Sequence, residues 1–283
     1  THMVDGGYYG YPWDHRPPRP FILPPLADYG AGAATATLCY EEDALPEEYR
    51  GNLFLADWGR REVFRLRIAR DGGTYKLVAR EEFLSDAPPD FRPVGLCLAP
   101  DGLSFYVTDW RHPDTKAKVD AGRLLRVSFT GTSRAIPKPA WYMPAVQGRK
   151  CTAPDDDLLA GLRHPSHAVR MCAERRLAER GRGDGGTREP GDAVCGALAA
   201  LDALVGDADA PAQARWHAIW ALDAIDGGAK SRKTILSALS DADGTVRGQA
   251  ARQLGTRRAR EAVPALIEML RDPDAAIRRQ AAA

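Results

Sequence analysis

Over residues 37–136 apolar and polar residues alternate in short runs. Turn-forming Gly, Pro, Asn and Asp break the runs, and this is the pattern of half-buried β-strands. Beyond residue 154 the period changes. Apolar residues recur three and four apart among alanines, arginines and aspartates, which predicts amphipathic helices. Residues 1–36 are rich in Gly, Pro and Tyr and follow neither period. Pro137, Pro139, Pro144 and Pro154 fall between the two patterned zones. The expected organisation is a β part over residues 4–136, a proline-rich linker over 137–154 and a helical part over 155–283.

The β part contains an internal echo. "GNLFLADWGRREVFRLRI" (51–68) and "LSFYVTDWRHPDTKAKVDAGRLLRVSF" (103–129) share one scheme: an apolar strand, Asp-Trp, a polar loop, then a strand containing an arginine. Asp57-Trp58 and Asp109-Trp110 lie 52 residues apart, a period that suits a four-stranded propeller blade. "PVGLCLAPDG" (93–102) is then the innermost strand and turn of the second blade, with Gly102 available for a left-handed turn position. About two blades are predicted. Two blades do not close a ring, so their edge strands invite pairing and an oligomer is one expectation; cover by the first helix pair is another.

The helical part repeats as well. Arg170, Arg215, Arg247 and Arg278 are spaced 45, 32 and 31 residues apart, and each is followed three residues later by alanine. Asp209, Asp241 and Asp272 precede the last three arginines by six residues, and His164 stands in that place in the first repeat. Four helix pairs follow. First helices are predicted near 155–163, 192–205, 229–239 and 260–270, and second helices near 166–180, 211–225, 243–254 and 274–283. The insertion "GRGDGGTREPGD" (181–192) explains the long first spacing. Short connections force antiparallel pairs to stack as an α-solenoid. The repeated aspartates are expected to cap helices, and the arginines to bridge neighbouring repeats.

Composition narrows the function classes. The formal net charge is +1, so no basic field recommends nucleic acid or a membrane surface as a partner. No apolar run has the length of a membrane span. Thr1, His2 and Met3 read as an expression-vector remnant, and no signal peptide follows them. The five cysteines (39, 97, 151, 172 and 195) form no Cys-x-x-Cys pair and are expected to be free, mostly buried thiols.

Two resemblances add to this. "DADGTVRGQAARQLG" (241–255) and "DPDAAIRRQAAA" (272–283) resemble short HEAT-type repeats, which specify architecture and imply a protein partner. "YYGYPW" (8–13), "YRGNLFLADWGRREVFRL" (49–66), "FRPVGLCLAPDG" (91–102) and "GRLLRVSF" (122–129) are similar in order and spacing to the last blades of soluble glucose dehydrogenase and sorbosone dehydrogenase-like proteins. That family implies a six-bladed propeller using pyrroloquinoline quinone (PQQ) with calcium, and an extracytoplasmic or periplasmic location. A propeller followed by HEAT repeats resembles the multidomain dehydrogenase-type proteins of planctomycetes, in which a haem-binding Cys-X-X-Cys-His domain often comes last.

By resemblance, an Arg-x-Arg before the innermost strand of the last blade holds the quinone carboxylates. Arg92 matches its first arginine, while Val94 stands at the second. A single guanidinium fork grips a carboxylate less tightly than two. The family's loop lysine falls at Gly59, and Arg60 is the nearest substitute cation. The cofactor-binding candidates are therefore Arg92 and Arg60. The family's catalytic histidine and calcium-binding Gly-Pro loop lie ahead of the turn matched by residues 8–13. The expectation is thus a piece of a sugar or polyol dehydrogenase-like protein that is itself inactive, with a HEAT-type interaction domain. The alternative is a protein- or glycan-binding scaffold built on a degenerate propeller.

Other features have plainer readings. Arg60 and Arg61 suit a solvated loop, and Trp58 and Trp110 suit blade packing. Asp109, His112 and Asp114 have no metal-site spacing, so neither a metal site nor a catalytic residue is assigned. Trp216 and Trp220, four residues apart, suit packing on one helix face, with His217 on another.

Overall fold

The computed structural model describes residues 25–27, 32–84, 88–110, 122–133, 135–183 and 192–282, without the side chains of 192–195. Residues 8–13, His112, Asp114 and the Cys195 side chain lie outside it. The chain divides into two compact units, Thr1–Ala135 and Ile136–Ala283.

The first unit holds two antiparallel sheets among the described residues. One contains β1 (Ala34–Cys39), β2 (Leu53–Asp57), β3 (Glu62–Asp71) and β4 (Thr74–Leu84) in chain order. The other contains β5 (Pro93–Leu98), β6 (Ser104–Asp109) and β7 (Arg123–Ser128), also in chain order. The sequence echo is a structural repeat. Ala34 pairs with Asp57 as Pro93 pairs with Asp109, and both registers slip by one residue just after that pair. A bulge at the same place in each sheet marks β1 and β5 as equivalent strands.

Aromatic side chains fill the space between the sheets. Phe54 of β2, Phe83 of β4 and Phe105 of β6 meet with ring centroids 4.6–5.1 Å apart. Thr35 Oγ1 donates to the Pro93 carbonyl at 2.9 Å, joining the inner strands. The buried Tyr40 hydroxyl donates to the Gly102 carbonyl at 2.9 Å and accepts from the Leu45 amide at 2.7 Å. Gly102 is needed there. Its φ is +74°, and a Cβ would press on Ala44 at 3.2 Å.

The second unit is helical. First helices are α2 (Asp155–Leu162), α4 (Asp192–Gly206), α6 (Arg232–Ser237, extended by a 3-10 turn to Ser240) and α8 (Val263–Met269). Second helices are α3 (His167–Gly181), α5 (Ala212–Asp226), α7 (Gly244–Thr256) and α9 (Ala275–Ala282). One hydrophobic core runs through all four pairs, from Leu158 to Ile277. The proline-rich stretch ahead of α2 is packed, and it belongs to this unit. It carries a short helix, α1 (Tyr142–Val146), with Tyr142 and Ala145 buried. Arg176 donates to the Ala145 carbonyl and Arg180 to the Cys151 and Ala153 carbonyls, so α3 clamps the stretch in place.

The spaced arginines do two jobs. Nη1 of Arg170, Arg215, Arg247 and Arg278 donates in every case to two carbonyls of the loop ahead of its own helix, at 2.5–3.3 Å. In Arg215 and Arg247 the rest of the fork reaches the next repeat. Arg215 grips both oxygens of Asp241 at 2.8 and 3.0 Å, and Arg247 meets Asp272 Oδ2 at 2.7 and 3.0 Å. The aspartates that cap α7 and α9 are Asp243 and Asp274, two residues beyond the ones singled out by spacing. Asp241 and Asp272 instead accept from the backbone of those capping residues, which turns the loop. In the first repeat His164 Nδ1 accepts from Ser166 N at 3.0 Å in the same way, and Ser166 caps α3. In the second repeat this turn is made by Asp207, not by the exposed Asp209.

The cysteines correct the expected burial. The four described thiols are free, but Cys39 and Cys97 are exposed and Cys151 and Cys172 only half-buried. Strand alternation places Cys39 and Cys97 on outward positions of β1 and β5.

Truncating Arg215 would strand loop carbonyls and leave Asp241 as an uncompensated, nearly buried charge. Arg215→Ala is expected to cost about 3 kcal/mol in urea unfolding, and Arg215→Lys to recover less than half. Full recovery by lysine would show that charge alone, not the planar fork, carries the contact.

Candidate functional site

The predicted site residues gather at one end of the two sheets, where β1 and β5 begin and β2 and β6 end. The Asp-Trp pairs organise this end identically in both sheets. Asp57 Oδ1 accepts from Ala33 N at 2.9 Å while Trp58 N donates to Ala33 O at 2.9 Å. Asp109 Oδ1 accepts from Arg92 N at 2.6 Å while Trp110 N donates to Arg92 O at 2.8 Å. Each aspartate thus pins the residue entering an inner strand. Both carboxylates are fully or almost fully buried.

The second carboxylate oxygens differ. Asp109 Oδ2 accepts from Arg123 Nε at 2.6 Å, and Arg123 also reaches Asp90 at 3.2 Å. Asp57 Oδ1 additionally accepts from Arg60 N at 2.8 Å, but its Oδ2 meets no hydrogen-bond donor among the described residues. Glu62 occupies the pairing position opposite Asp57 that Arg123 occupies opposite Asp109, so the first sheet supplies no cation there.

Arg92 and Arg60 lie at this same end, each beside one of the Asp-Trp anchors. The Arg92 guanidinium stands 5.2 Å above the Trp58 ring, and its Nη1 donates to the Phe91 carbonyl at 3.1 Å. Trp58 and Trp110 are themselves in contact, with ring centroids 6.2 Å apart. Arg61 takes a left-handed conformation, φ 63°, and donates to the Pro89 carbonyl at 2.9 Å. Arg92 and Arg61 are thus placed by an aromatic face and loop carbonyls, and Arg60 is held through its backbone N–H by Asp57.

The set matches a PQQ site only in part. A quinone with several carboxylates is held best by paired forks, and Val94 offers no second guanidinium beside Arg92, whose Nη1 already serves a loop carbonyl. A Cβ on Gly59 would sit 3.1 Å from Ala33 N and 3.3 Å from the Gly32 carbonyl carbon, so a lysine there requires the backbone that Asp57 pins to give by a few tenths of an ångström. Among the described residues, no three His, Cys, Asp or Glu side chains converge as metal ligands do.

The helical unit holds a polar pair that sequence reasoning missed. His217, placed on an uninformative helix face by spacing, is fully buried. Its ring stacks on Trp216 at 4.0 Å, meets Trp220 edge-on at 5.2 Å and lies 5.7 Å from His167. Its Nδ1 is 2.6 Å from Glu174 Oε2 on α3. Burial pushes the Glu174 carboxyl up to about 7, against a smaller opposing pull from Arg175. Burial also pulls the His217 imidazole down to about 3, helped by the Arg170 charge. Between about pH 3 and 7 both groups are therefore neutral, and the Glu174 carboxyl donates to the imidazole.

Comparisons with known proteins divide along the same line as the fold. Residues 197–283 match the family of HEAT repeats, and residues 27–116 match a domain of unknown function, DUF7133. No curated protein matches the chain. Among solved structures, an oxidoreductase described as a glucose dehydrogenase from Thermus thermophilus is similar at 24% identity. The match covers 44% of this chain and 34% of that one, with a TM-score of 0.34, so the chain spans about a third of that protein's length.

Two outcomes are expected here. Asp109→Ala removes an anchor that also carries an arginine, whereas Asp57→Ala removes one with no cation on its second oxygen. Asp109→Ala should cost about 3 kcal/mol and Asp57→Ala about 1–2 kcal/mol in denaturant unfolding followed by tryptophan fluorescence. Equal losses would contradict the asymmetry of the two anchors. The buried pair predicts a pH effect. Between pH 4.5 and 7 native Glu174 keeps a proton that the unfolded chain releases, so rising pH costs stability across that window. Between pH 3 and 6.5 the unfolded chain protonates His217 and the native one does not, so falling pH costs stability there. Glu174→Gln, whose amide still donates to Nδ1, removes only the first effect. Its stability relative to the native chain should rise from pH 4.5 to 7 by on the order of 2–3 kcal/mol, and parallel stability curves would sink this reading.

Proposed function

We propose that this chain comprises two blades of a propeller of the PQQ-dependent sugar or polyol dehydrogenase type joined to a HEAT-type solenoid. In this reading it works by holding a protein partner, without oxidising a sugar, and it acts outside the cytoplasm. The observation that carries the reading is the state of Arg92. Its guanidinium lies over Trp58 and bonds the Phe91 carbonyl, Val94 stands where a second fork belongs, and Gly59 stands where the lysine belongs, in close contact with the backbone of residues 32 and 33. The match of residues 197–283 to HEAT repeats supports the interaction role. No helix among the described residues is long and apolar enough to cross a membrane.

The test is a titration with PQQ in the presence of calcium, followed by quinone absorbance and by dye-linked sugar oxidation. The expected result is no saturable binding below about 100 µM quinone and no dye reduction. Saturable binding in the micromolar range that weakens in Arg92→Ala would overturn the proposal and restore the cofactor site.

A further inference from the structure

One face of α3 carries more than the clamp on the proline-rich stretch. Cys172, Arg176 and Arg180 are spaced four apart, so they share one stripe of the helix. Both arginines of that stripe hold the chain ahead of α2. Arg176 Nη2 donates to the Ala145 carbonyl at 2.9 Å. Arg180 Nη2 donates to the Cys151 carbonyl at 3.2 Å and to the Ala153 carbonyl at 2.5 Å, and its Nη1 meets Asp155. Cys151 is therefore laid against the stripe that begins with Cys172, and it packs on the core to which Ala173 and Leu177 belong.

Both thiols are free and half-buried. Burial pushes the Cys172 thiol up, the Arg176 charge opposes this, and the charge of Cys151 pushes it up further. The Arg176 guanidinium is in turn held charged first by Glu179 and then by both cysteines. The two sulfurs are thus close enough to act on one another's ionisation.

We propose that Cys151 and Cys172 are a redox pair whose disulfide locks the proline-rich stretch onto α3. The structure holds the dithiol form. The reaction is a thiol–disulfide exchange with a small disulfide as oxidant. One cysteine thiolate attacks a sulfur of the small disulfide, forms a mixed disulfide and expels one small thiolate. The second cysteine thiolate attacks the protein sulfur of the mixed disulfide, closes the bond between Cys151 and Cys172 and expels the other small thiolate. The two cysteine protons end on the two small thiols. The protein loses two electrons and the small disulfide gains them.

The consequence follows from the loop that is closed. The cysteines lie 21 residues apart, and the whole of α2 falls between them. Cross-linking them removes freedom from the unfolded chain. In the dithiol the stretch is held by arginine contacts to its carbonyls, which side-chain motion can release. In the disulfide it stays on α3 for as long as the bond lasts. Oxidation therefore fastens the start of the helical unit to its first helix pair.

The test incubates the full, folded chain with oxidised glutathione and alkylates the remaining thiols with N-ethylmaleimide. Peptides are then mapped by mass spectrometry without reductant. The expected result is a cross-linked peptide pair joining Cys151 to Cys172, lost on reduction. The bond requires Cα atoms within about 7 Å of one another, so the cross-link reads the geometry directly. The oxidised chain should melt about 5–10 °C above the reduced one, with added hydrogen-exchange protection over residues 145–153. Cys172→Ser should abolish this gain and melt near the reduced native chain. The proposal is overturned if Cys151 and Cys172 stay alkylated or carry only glutathione, or if the cross-link forms only in urea. It is also overturned if oxidation joins either of them to a different cysteine, or if the bridge forms and leaves Tm unchanged.

Discussion

The helical unit depends on how one planar cation is shared. The loop between the two helices of each pair leaves backbone carbonyls pointing inward, where water is scarce and an unmet acceptor is costly. The arginine on the fourth position of the second helix meets two of them with a single Nη1. A lysine would be spent by that task. A guanidinium is not, because its other N–H groups lie on the opposite edge of the same plane and reach the aspartate of the next repeat. At Arg215 and Arg247 loop shape and repeat stacking are therefore tied together by one side chain. At the far ends of the same helices Arg257, the residue that follows α7, grips both oxygens of Asp223 of α5 at 2.9 Å.

The chain's periodicity made much of this legible. The four helix pairs fall within a few residues of their predicted bounds, because helical period and the Arg-x-x-Ala spacing report the same buried face. What spacing does not report is which of two neighbouring aspartates does which work. Asp241 and Asp243 are chemically alike, and only the backbone path decides that the first turns the loop and the second caps the helix. His164 was legible as a departure from the pattern, yet not as an equivalent. An imidazole nitrogen accepting from Ser166 N replaces a carboxylate oxygen without any likeness in sequence.

The pair of Glu174 and His217 was illegible for a different reason. Its members are 43 residues apart on helices that become neighbours only when repeats stack. Local periodicity described His217 by its helix face and had no access to the helix across from it. The signal that existed was Trp216-His217 followed by Trp220, since two large rings bracketing a histidine exclude water from it. Burial then decides the protonation of both partners, and a neutral carboxyl bonded to a neutral imidazole needs no counter-ion in the core.

In the sheets the recurring Asp-Trp pair, legible in the sequence as the period of a blade, has a mechanical role. Asp57 and Asp109 each fasten the residue that enters an inner strand, and the tryptophan that follows closes the same turn through its backbone. Arg92 is one of the fastened residues. Its backbone is committed to Asp109 before its side chain is considered, and the side chain finds Trp58 and the Phe91 carbonyl close at hand. A single fork grips a carboxylate less tightly than the paired forks expected of a quinone site. The same fastening bears on position 59, because Asp57 pins residue 33 where a Cβ on Gly59 would come within 3.1 Å of its amide nitrogen. The two departures from the cofactor-binding pattern thus fall on equivalent anchors: the Asp-Trp pair that fixes the backbone of residue 92 in one sheet fixes that of residue 33, beside Gly59, in the other.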